Sequence, residues 1–238
     1  MKTIGLIGGT SPESTTDYYL KINRFVNEVL GKHHSAKIVM VSVEFEEIVS
    51  AIVSSRWDIV SQIMTEAALT LQAAGVDILA LCSNTLHKVY PELKACLNIP
   101  ILHILDPVIN VIQQNKINKI AVLGTIYTMQ GDFYPAYFKQ NCNVELIMPS
   151  YSEMMIINDF IFDCLCKGHW DEKRSAEILK IVNGLVKKHV ADAVLLACTE
   201  LSYFFEEAGL SANIIDTTYL HSKALRDFIC SDLKEKIL

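Results

Sequence analysis

The segment DILALCSN, residues 77–84, places a cysteine directly after a continuous apolar run. A short run with no polar alternation is typical of a strand that is covered on both faces of a sheet. A similar segment, AVLLACTE, occupies residues 193–200. Cys82 and Cys198 are therefore 116 positions apart, and each follows a predicted buried strand.

A second pair of segments has the same spacing. The segment KTIGLIGG at residues 2–9 and the segment NKIAVLGT at residues 118–125 are apolar strands that end in a glycine and a polar loop. Gly8 and Gly124 are also 116 positions apart. Because one spacing relates both a glycine loop and a cysteine loop, the sequence predicts two similar halves.

Helical segments separate the predicted strands, and this alternation indicates a doubly wound α/β fold with mainly parallel sheets flanked by helices. One of these segments, Ser152–Lys167, is predicted as a single helix. We expect two pseudo-symmetric domains with the active site in the cleft between them. Residues 1–105 plus 215–238 are predicted to form the first, with Cys82, and residues 106–214 the second, with Cys198.

The composition excludes several classes of protein. The chain of 238 residues is 51% apolar and carries 21 basic and 27 acidic residues, a net charge of −6 with no basic run, which argues against nucleic-acid partners. No apolar segment approaches the roughly 18–20 residues of a membrane span, so we expect no membrane partner. The seven cysteines form no C-x-x-C pair, which predicts reduced thiols in the cytoplasm and no metal site.

The two predicted strand ends suggest a particular chemistry. Ligands of open α/β sheets bind beyond the carboxyl ends of the strands, where Cys82 and Cys198 are expected. A helix follows each cysteine in the prediction, and its N-terminus is expected to lower the thiol pKa. Two such thiols on opposite sides of one carbon could remove and return a proton, which is the requirement of a two-base racemase or epimerase.

Polar residues beside the cysteines could bind a small carboxylate. Asn84 and Thr85 follow Cys82, and Thr199 and Glu200 follow Cys198. The loop Gly8–Ser11 is expected to let the backbone approach an anion closely. It contains neither the dinucleotide fingerprint nor a phosphate-binding lysine, and the sequence therefore predicts no cofactor.

The sequence resembles the aspartate/glutamate racemase family over essentially its whole length. The matching motifs are GGTSPEST at residues 8–15, CSNTLHK at 82–88, LGT at 123–125, ACTEL at 197–201 and DTT at 216–218 with His221. The resemblance implies amino-acid racemisation without pyridoxal phosphate, often in a homodimer, with Cys82 and Cys198 as the acid/base pair. The residues expected to contact the amino-acid substrate are Gly9, Thr10, Ser11, Asn84, Thr85, Thr125, Lys167, Thr199 and Glu200.

The resemblance also suggests a substrate. Lys167 aligns with a lysine of similar aspartate racemases, and its cation would pair with a side-chain carboxylate, which favours aspartate or glutamate. The chain departs from the family pattern at Thr10, Pro12 and Ile52, which concerns side-chain specificity. His87 and His221 either contact the substrate or support the surrounding structure.

Other functions are compatible with the same residues. A broad-specificity amino-acid racemase would use the same two thiols. A maleate-type isomerase also uses two cysteines, one of them as a nucleophile. A non-catalytic amino-acid-binding protein would be expected to have lost one thiol, and this chain retains both.

Overall fold

The structure, a computed structural model, describes residues 1–168, 171–208 and 212–234. The chain divides into two compact units. The first contains Met1–Ile104 and the chain from His221 onward, and the second contains Leu105–Leu220.

The first unit is built around three strands. Its elements in chain order are β1 (Thr3–Gly8), α1 (Pro12–Leu30), β2 (Lys37–Ser42), α2 (Phe45–Val53), α3 (Trp57–Ala73), β3 (Ile78–Leu81), a 3₁₀ helix (Thr85–Val89) and α4 (Tyr90–Cys96).

The second unit is built around four strands. Its elements in chain order are α5 (Asp106–Asn115), β4 (Lys119–Gly124), α6 (Ile126–Met129), α7 (Phe133–Asn141), β5 (Glu145–Ile147), α8 (Tyr151–Asp163), a 3₁₀ helix (Leu165–Lys167), α9 (Glu172–His189), β6 (Ala193–Ala197), α10 (Thr199–Ala208) and β7 (Ile214–Asp216). The last helix, α11 (Thr217–Lys234), begins in this unit and continues into the first.

The two sheets have the same order around their central strands. In the first sheet the order is β2-β1-β3, and in the second it is β5-β4-β6-β7. Every strand pair in both sheets is parallel. Helices pack on the sheets, since the core of each unit combines strand residues with apolar helix faces. The predicted α/β fold with two parallel sheets flanked by helices is confirmed.

The strand before each cysteine pairs with the central strand of its sheet, and this pairing is shifted by one residue between the two units. In the first unit Ile7 pairs with Leu81, which directly precedes the cysteine. In the second unit Leu123, which is 116 positions after Ile7, pairs with Leu196, which is two residues before the cysteine. The 116-residue spacing therefore relates the central strands β1 and β4, but it does not hold across both ladders.

Two aspartates show where the second unit has one residue more than the first. Asp77 accepts a hydrogen bond from the backbone N–H of Thr3, and Asp192 accepts one from the backbone N–H of Lys119, so they anchor corresponding ends of the two sheets. The cysteine is the fifth residue after Asp77 and the sixth after Asp192. The difference thus arises within the third strand of each unit.

The two cysteines consequently project from opposite faces of their corresponding sheets. Cys82 packs in a core cluster with Leu6 of β1. The residue of β4 that corresponds to Leu6 is Val122, whereas Cys198 packs with Leu123. Because successive strand residues point to opposite faces, the extra residue moves the second thiol to the other face.

The second unit extends beyond the boundary that was expected from the sequence. We predicted that it ends at residue 214, but the contacts place its end at Leu220. The reason is β7, which pairs with β6 at Ile214, Ile215 and Asp216 and so belongs to the second sheet.

The segment predicted as one helix over Ser152–Lys167 is interrupted. The α-helix ends at Asp163, and a 3₁₀ helix follows over Leu165–Lys167. Gly168 comes next with a φ of 61°, a conformation that glycine adopts readily. Apolar periodicity continues through this break, which is why the sequence did not indicate it.

No helix in the described part of the chain combines the length and the apolar character needed to cross a membrane.

Candidate active site

Cys82 lies where β3 ends, fully buried in the first unit. Its backbone N–H donates a hydrogen bond of 2.9 Å to the Ile7 carbonyl, and so the strand ladder fixes its position. Its own carbonyl accepts a hydrogen bond of 3.2 Å from the Ser14 hydroxyl, which also donates to the Ser11 carbonyl. Ser14 therefore connects the loop after β1 to Cys82. The sequence did not indicate this role, although Ser14 lies in the motif GGTSPEST at residues 8–15.

The loop after β1 is shaped by contacts within the chain. Ser11 caps α1 by accepting a hydrogen bond from the Ser14 backbone N–H. The Gly9 N–H donates to the Thr15 hydroxyl at 2.8 Å. A Cβ on Gly9 would lie 2.2 Å from the Val43 carbonyl oxygen. The space where a side chain of residue 9 would lie is thus occupied by the backbone that follows β2, and the expected approach of an anion to this loop stays a prediction.

Thr10 differs from its neighbours in this loop. Its hydroxyl oxygen is buried and makes no hydrogen bond to any residue that the structure describes. A buried polar atom without a partner is costly, so this hydroxyl is the group of the loop best suited to a ligand.

Asn84 and Thr85 follow Cys82 on the 3₁₀ helix and its cap. Asn84 is buried, and its carbonyl accepts a hydrogen bond from the His87 backbone N–H. Thr85 is partly buried. The sequence predicted a helix after Cys82, and the structure has only this five-residue 3₁₀ helix before α4.

Behind this segment the first unit contains a buried histidine cluster, which we define as His87, His103 and His221. The ring centroids of His87 and His103 are 4.6 Å apart, and those of His87 and His221 are 6.2 Å apart. Burial is the largest cause of the low pKa values of these histidines. The pKa of His87 is lowered to about 4 and that of His221 to about 3, and the pKa of His103 is lowered as well.

Hydrogen bonds define the tautomer of His87. Its Nε2 accepts a hydrogen bond of 3.1 Å from the Ile104 N–H, so the proton is on Nδ1, which donates to the Ser83 carbonyl at 2.7 Å. The neutral ring thus joins the segment after Cys82 to the segment after residue 103.

His221 has a comparable structural role. Its Nε2–H donates to the Leu102 carbonyl at 3.1 Å, and its Nδ1 accepts from the Tyr18 hydroxyl at 2.9 Å. Both ring nitrogens of His221 are therefore used by the protein, which favours the supporting role over substrate contact.

Cys198 lies directly after β6 in the second unit and is 5% exposed. Its thiol donates a hydrogen bond of 3.0 Å to Oε2 of Glu200. The hydroxyl of Thr199 donates to the same oxygen at 2.5 Å. The carboxylate of Glu200 is thus held against the thiol at the start of α10.

Both thiols have raised pKa values, which contradicts the lowering expected from the sequence. Burial raises the pKa of Cys82. For Cys198, burial is again the largest cause, followed by the electrostatic interactions with Glu200 and Cys166. Desolvation of a thiolate outweighs the field of a helix N-terminus when the sulfur is fully enclosed.

Thr125 follows the central strand β4 and occupies the N-cap position of α6, without a capping hydrogen bond from its side chain. Its carbonyl accepts hydrogen bonds from the backbone N–H groups of Thr128 and Met129. Gly124 pairs with Ala197, so Thr125 and Cys198 follow neighbouring strand ends. Loop 9–11 and Cys82 likewise follow the ends of the neighbouring strands β1 and β3 in the first unit.

Lys167 is on the second unit's surface. Its side chain is 65% exposed and lies 3.5 Å from the carboxylate of Asp163. The preceding residue, Cys166, packs against the core cluster that contains Cys198. The backbone here therefore lies near the thiol, while the lysine side chain is directed to solvent and paired with Asp163.

Two further residues near Cys198 were not singled out by sequence reasoning. Cys166 and Tyr134 both interact with Cys198 electrostatically, and Tyr134 is fully buried. The only sequence signal was the C-x-C pair formed by Cys164 and Cys166. Among the residues that the structure describes, no group of three or more His, Cys, Asp or Glu side chains is arranged to hold a metal ion.

Comparison with known proteins places these features in a family. The family model for Asp/Glu/hydantoin racemases matches residues 7–225. A broad-specificity amino-acid racemase of Bacillus subtilis (strain 168) is 25% identical over 224 residues, which cover 93% of this chain and 95% of that protein.

Solved structures show the same fold. A candidate Asp/Glu racemase from Yersinia pestis is 35% identical, with a TM-score of 0.87 over 96% of this chain and 99% of that one. An aspartate racemase homologue from Pyrococcus horikoshii is 29% identical, with a TM-score of 0.82 and the same coverage.

Proposed function

Because this chain belongs to the Asp/Glu/hydantoin racemase family, we propose that it is an isomerase that interconverts L- and D-aspartate or glutamate without a cofactor. The observation that carries this proposal is the position of Cys82 and Cys198. Each is the residue that directly follows the third strand of its unit, where α/β sheets bind ligands.

In the proposed reaction the two thiols act as a general base and a general acid. One cysteine, as a thiolate, takes the α-proton and becomes a thiol, and the electron pair of the broken C–H bond moves toward the α-carboxylate. The other cysteine, as a thiol, donates its proton to the opposite face of the same carbon and becomes a thiolate. The net change is inversion of one stereocentre, with no redox change.

The raised pKa values of the two thiols fit this cycle when the substrate's own charge is included. Burial disfavours both thiolates. An amino acid brings an α-ammonium group, and a positive charge within a few ångströms lowers a thiol pKa. Substrate binding would therefore help to generate the thiolate that the reaction needs.

Polar groups around each thiol would bind the amino-acid head. In the first unit these are Asn84, Thr85 and the loop 9–11, in which the unpartnered Thr10 hydroxyl is the clearest candidate. In the second unit they are Thr125, Thr199 and Glu200. Hydrogen bonds to the carboxylate would stabilise the charge that grows there as the α-proton leaves.

The side-chain carboxylate of aspartate or glutamate would pair with Lys167. For this the lysine must leave Asp163, and the exposed ion pair offers little resistance because such pairs contribute roughly 0–1 kcal/mol. A broad-specificity racemase is the second candidate, because Lys167 is turned to solvent and the Bacillus subtilis relative is described as having broad specificity.

Solvent exchange tests the proposed function. Purified protein is incubated in deuterium oxide with a panel of L- and D-amino acids, and α-deuterium and enantiomer content are measured. We expect exchange with inversion for aspartate or glutamate, unchanged after treatment with hydroxylamine and a chelator. Absence of exchange for every amino acid would refute a racemase.

Cysteine variants test the assignment of the two bases. We expect Cys82→Ala and Cys198→Ala each to reduce racemisation by at least about 10²-fold, since general acid–base catalysis contributes that much. Cys96→Ala, at an exposed free cysteine, serves as the control and should retain the original rate. Near-normal turnover in either of the first two variants would remove that residue from the mechanism.

Two finer expectations belong to the same proposal. We propose a cytoplasmic enzyme, because none of the described cysteines is in a disulfide. We also propose a homodimer, as the family resemblance implies, and sedimentation equilibrium would distinguish it from a monomer.

A further inference from the structure

The two proposed bases have different neighbours. The second residue after Cys82 is Asn84, and the second residue after Cys198 is Glu200. We propose that Glu200 is a positioning residue that keeps the proton on Cys198, so that Cys82 is the thiol that loses its proton more readily. This inference rests on the proposed function, since it concerns the same two thiols.

The geometry of the second unit supports this difference. The Cys198 thiol donates to Oε2 of Glu200 at 3.0 Å, and the Thr199 hydroxyl donates to the same atom, which holds the carboxylate in place. A carboxylate accepts hydrogen bonds but cannot donate one, so it favours the thiol over the thiolate. Because Cys198 is buried, water screens this interaction only weakly.

The electrostatic surroundings of the two thiols differ in the same sense. The groups that raise the pKa of Cys198 beyond the effect of burial are Glu200 on α10 and Cys166 on the 3₁₀ helix, and Tyr134 on α7 also interacts with this thiol. The pKa of Cys82 is raised by burial alone. Asn84 contributes an amide, which carries no charge.

An unequal pair of thiols has a kinetic consequence. The favoured enzyme form, with Cys82 deprotonated and Cys198 protonated, would take the α-proton of only one enantiomer, the one whose C–H bond faces Cys82. Its turnover leaves Cys198 as a thiolate beside Glu200, the less stable of the two enzyme forms. Since enantiomers have equal free energies, kcat/KM must be the same in both directions, and the inequality must therefore appear in kcat and KM separately.

Thiol titration tests the proposal without any substrate. In a Cys82→Ser background, the rate at which iodoacetamide labels Cys198 is followed against pH by peptide mass spectrometry. We expect Glu200→Gln to lower the Cys198 pKa by about one unit or more, as removal of an adjacent like charge should. Glu200→Asp retains the charge and should keep the pKa high.

Two controls make the result specific. Glu177→Gln removes an exposed carboxylate on α9 and should leave the Cys198 pKa unchanged. Asn84→Asp, in a Cys198→Ser background, should raise the Cys82 pKa, because it introduces a carboxylate two residues after Cys82, as Glu200 is two residues after Cys198. An unchanged Cys198 pKa in Glu200→Gln, with circular dichroism showing a folded protein, would overturn the proposal.

Kinetics provide the second measurement. In Glu200→Gln the ratio of kcat for the two enantiomers should change by at least about threefold, a shift smaller than the tenfold expected for one full pKa unit, while kcat/KM remains equal in the two directions. An unchanged kcat ratio together with an unchanged pKa would leave the racemase intact and disprove the role of Glu200. A shifted pKa in a protein that racemises nothing would disprove the function instead.

Discussion

Packing requires a glycine at position 9, in the loop that we propose to contact the substrate. Its φ of 96° is unfavourable for residues with a Cβ, and an added Cβ would lie 2.2 Å from the Val43 carbonyl oxygen and 2.6 Å from the Val43 nitrogen. The clash involves backbone, so no side-chain rotation can relieve it.

We therefore predict that Gly9→Ala destabilises the protein by about 2–4 kcal/mol, the sum of backbone strain and overpacking. Urea unfolding followed by circular dichroism measures this change. Gly184→Ala is the matched control, because a Cβ there has nothing within 4 Å and lies inside α9, where alanine is the better helix former. A loss below about 0.5 kcal/mol in Gly9→Ala would contradict the steric argument.

Lys167 is the residue on which substrate choice depends in the proposal. We predict that Lys167→Leu lowers kcat/KM for aspartate and glutamate by roughly tenfold or more, because a salt bridge to the side-chain carboxylate would be lost, and that it leaves small neutral amino acids much less affected. The ratio of kcat/KM values for aspartate and alanine is the measurement.

Lys139→Leu, at another exposed lysine of the second unit, controls for a general change of charge. Equal losses for acidic and neutral substrates in Lys167→Leu would contradict a role in specificity and would favour the broad-specificity racemase.

Helix α8 begins with a capping box. The Ser150 hydroxyl accepts a hydrogen bond from the Glu153 backbone N–H, and the Glu153 carboxylate accepts one from the Ser150 backbone N–H. The Ser150 hydroxyl also donates a hydrogen bond of 2.6 Å to the Glu153 carboxylate, and this bond, followed by the one from the Ser150 backbone N–H, lowers the pKa of Glu153. The cap matters because α8 leads to the 3₁₀ helix that contains Lys167.

We predict that Ser150→Ala lowers the free energy of unfolding by about 1 kcal/mol, as loss of an N-cap side chain does, and that Ser150→Asp restores most of it. Thermal and urea unfolding of the two variants measure this. Stability equal to the original protein in Ser150→Ala would show that the helix start is held by other contacts.

The elements also show what sequence alone could and could not predict. The strands and the relation of β1 to β4 were predicted because a buried strand is uninterrupted in its apolar pattern. The break after Asp163 was missed, since it lies within a continuous apolar period, and the extra residue between Asp192 and Cys198 was missed because register depends on pairing, which a single strand does not reveal.

The candidate site divides in the same way. Both cysteines and their polar followers could be named from sequence because they follow strand ends in motifs. The direction of the thiol pKa shifts could not, since burial of Cys82 and Cys198 is a property of the folded units. The bond from Cys198 to Glu200 and the histidine cluster likewise required three-dimensional neighbours.

For the molecule as a whole, the histidine cluster should make the two units respond differently to acid. His87 and His221 are neutral and buried, with pKa values of about 4 and about 3 against 6.5 for an unfolded histidine. Below about pH 6.5 these histidines are therefore protonated in the unfolded chain but remain neutral in the folded first unit. The free energy of unfolding consequently decreases as the pH falls toward 4.

We predict a loss of about 1.4 kcal/mol per pH unit for each of these histidines across that range. Amide hydrogen exchange at pH 7.5 and pH 5, corrected for intrinsic rates, should show β1 losing more protection than β4. His87→Gln should reduce the loss, and His33→Gln, at an exposed histidine, should not. Equal loss of protection in β1 and β4 would contradict a local origin in the first unit.

The one-residue difference between the third strands limits how the halves could be recombined by protein engineering. A chimera that replaces the six residues after Asp192 with the corresponding six after Asp77 would keep the anchor to the central strand but place the transplanted sulfur one step early. Its thiol would then project from the opposite face of the sheet, away from Glu200. Inserting a single amino acid ahead of the transplanted cysteine would correct the orientation, and so the halves share an architecture without being interchangeable parts.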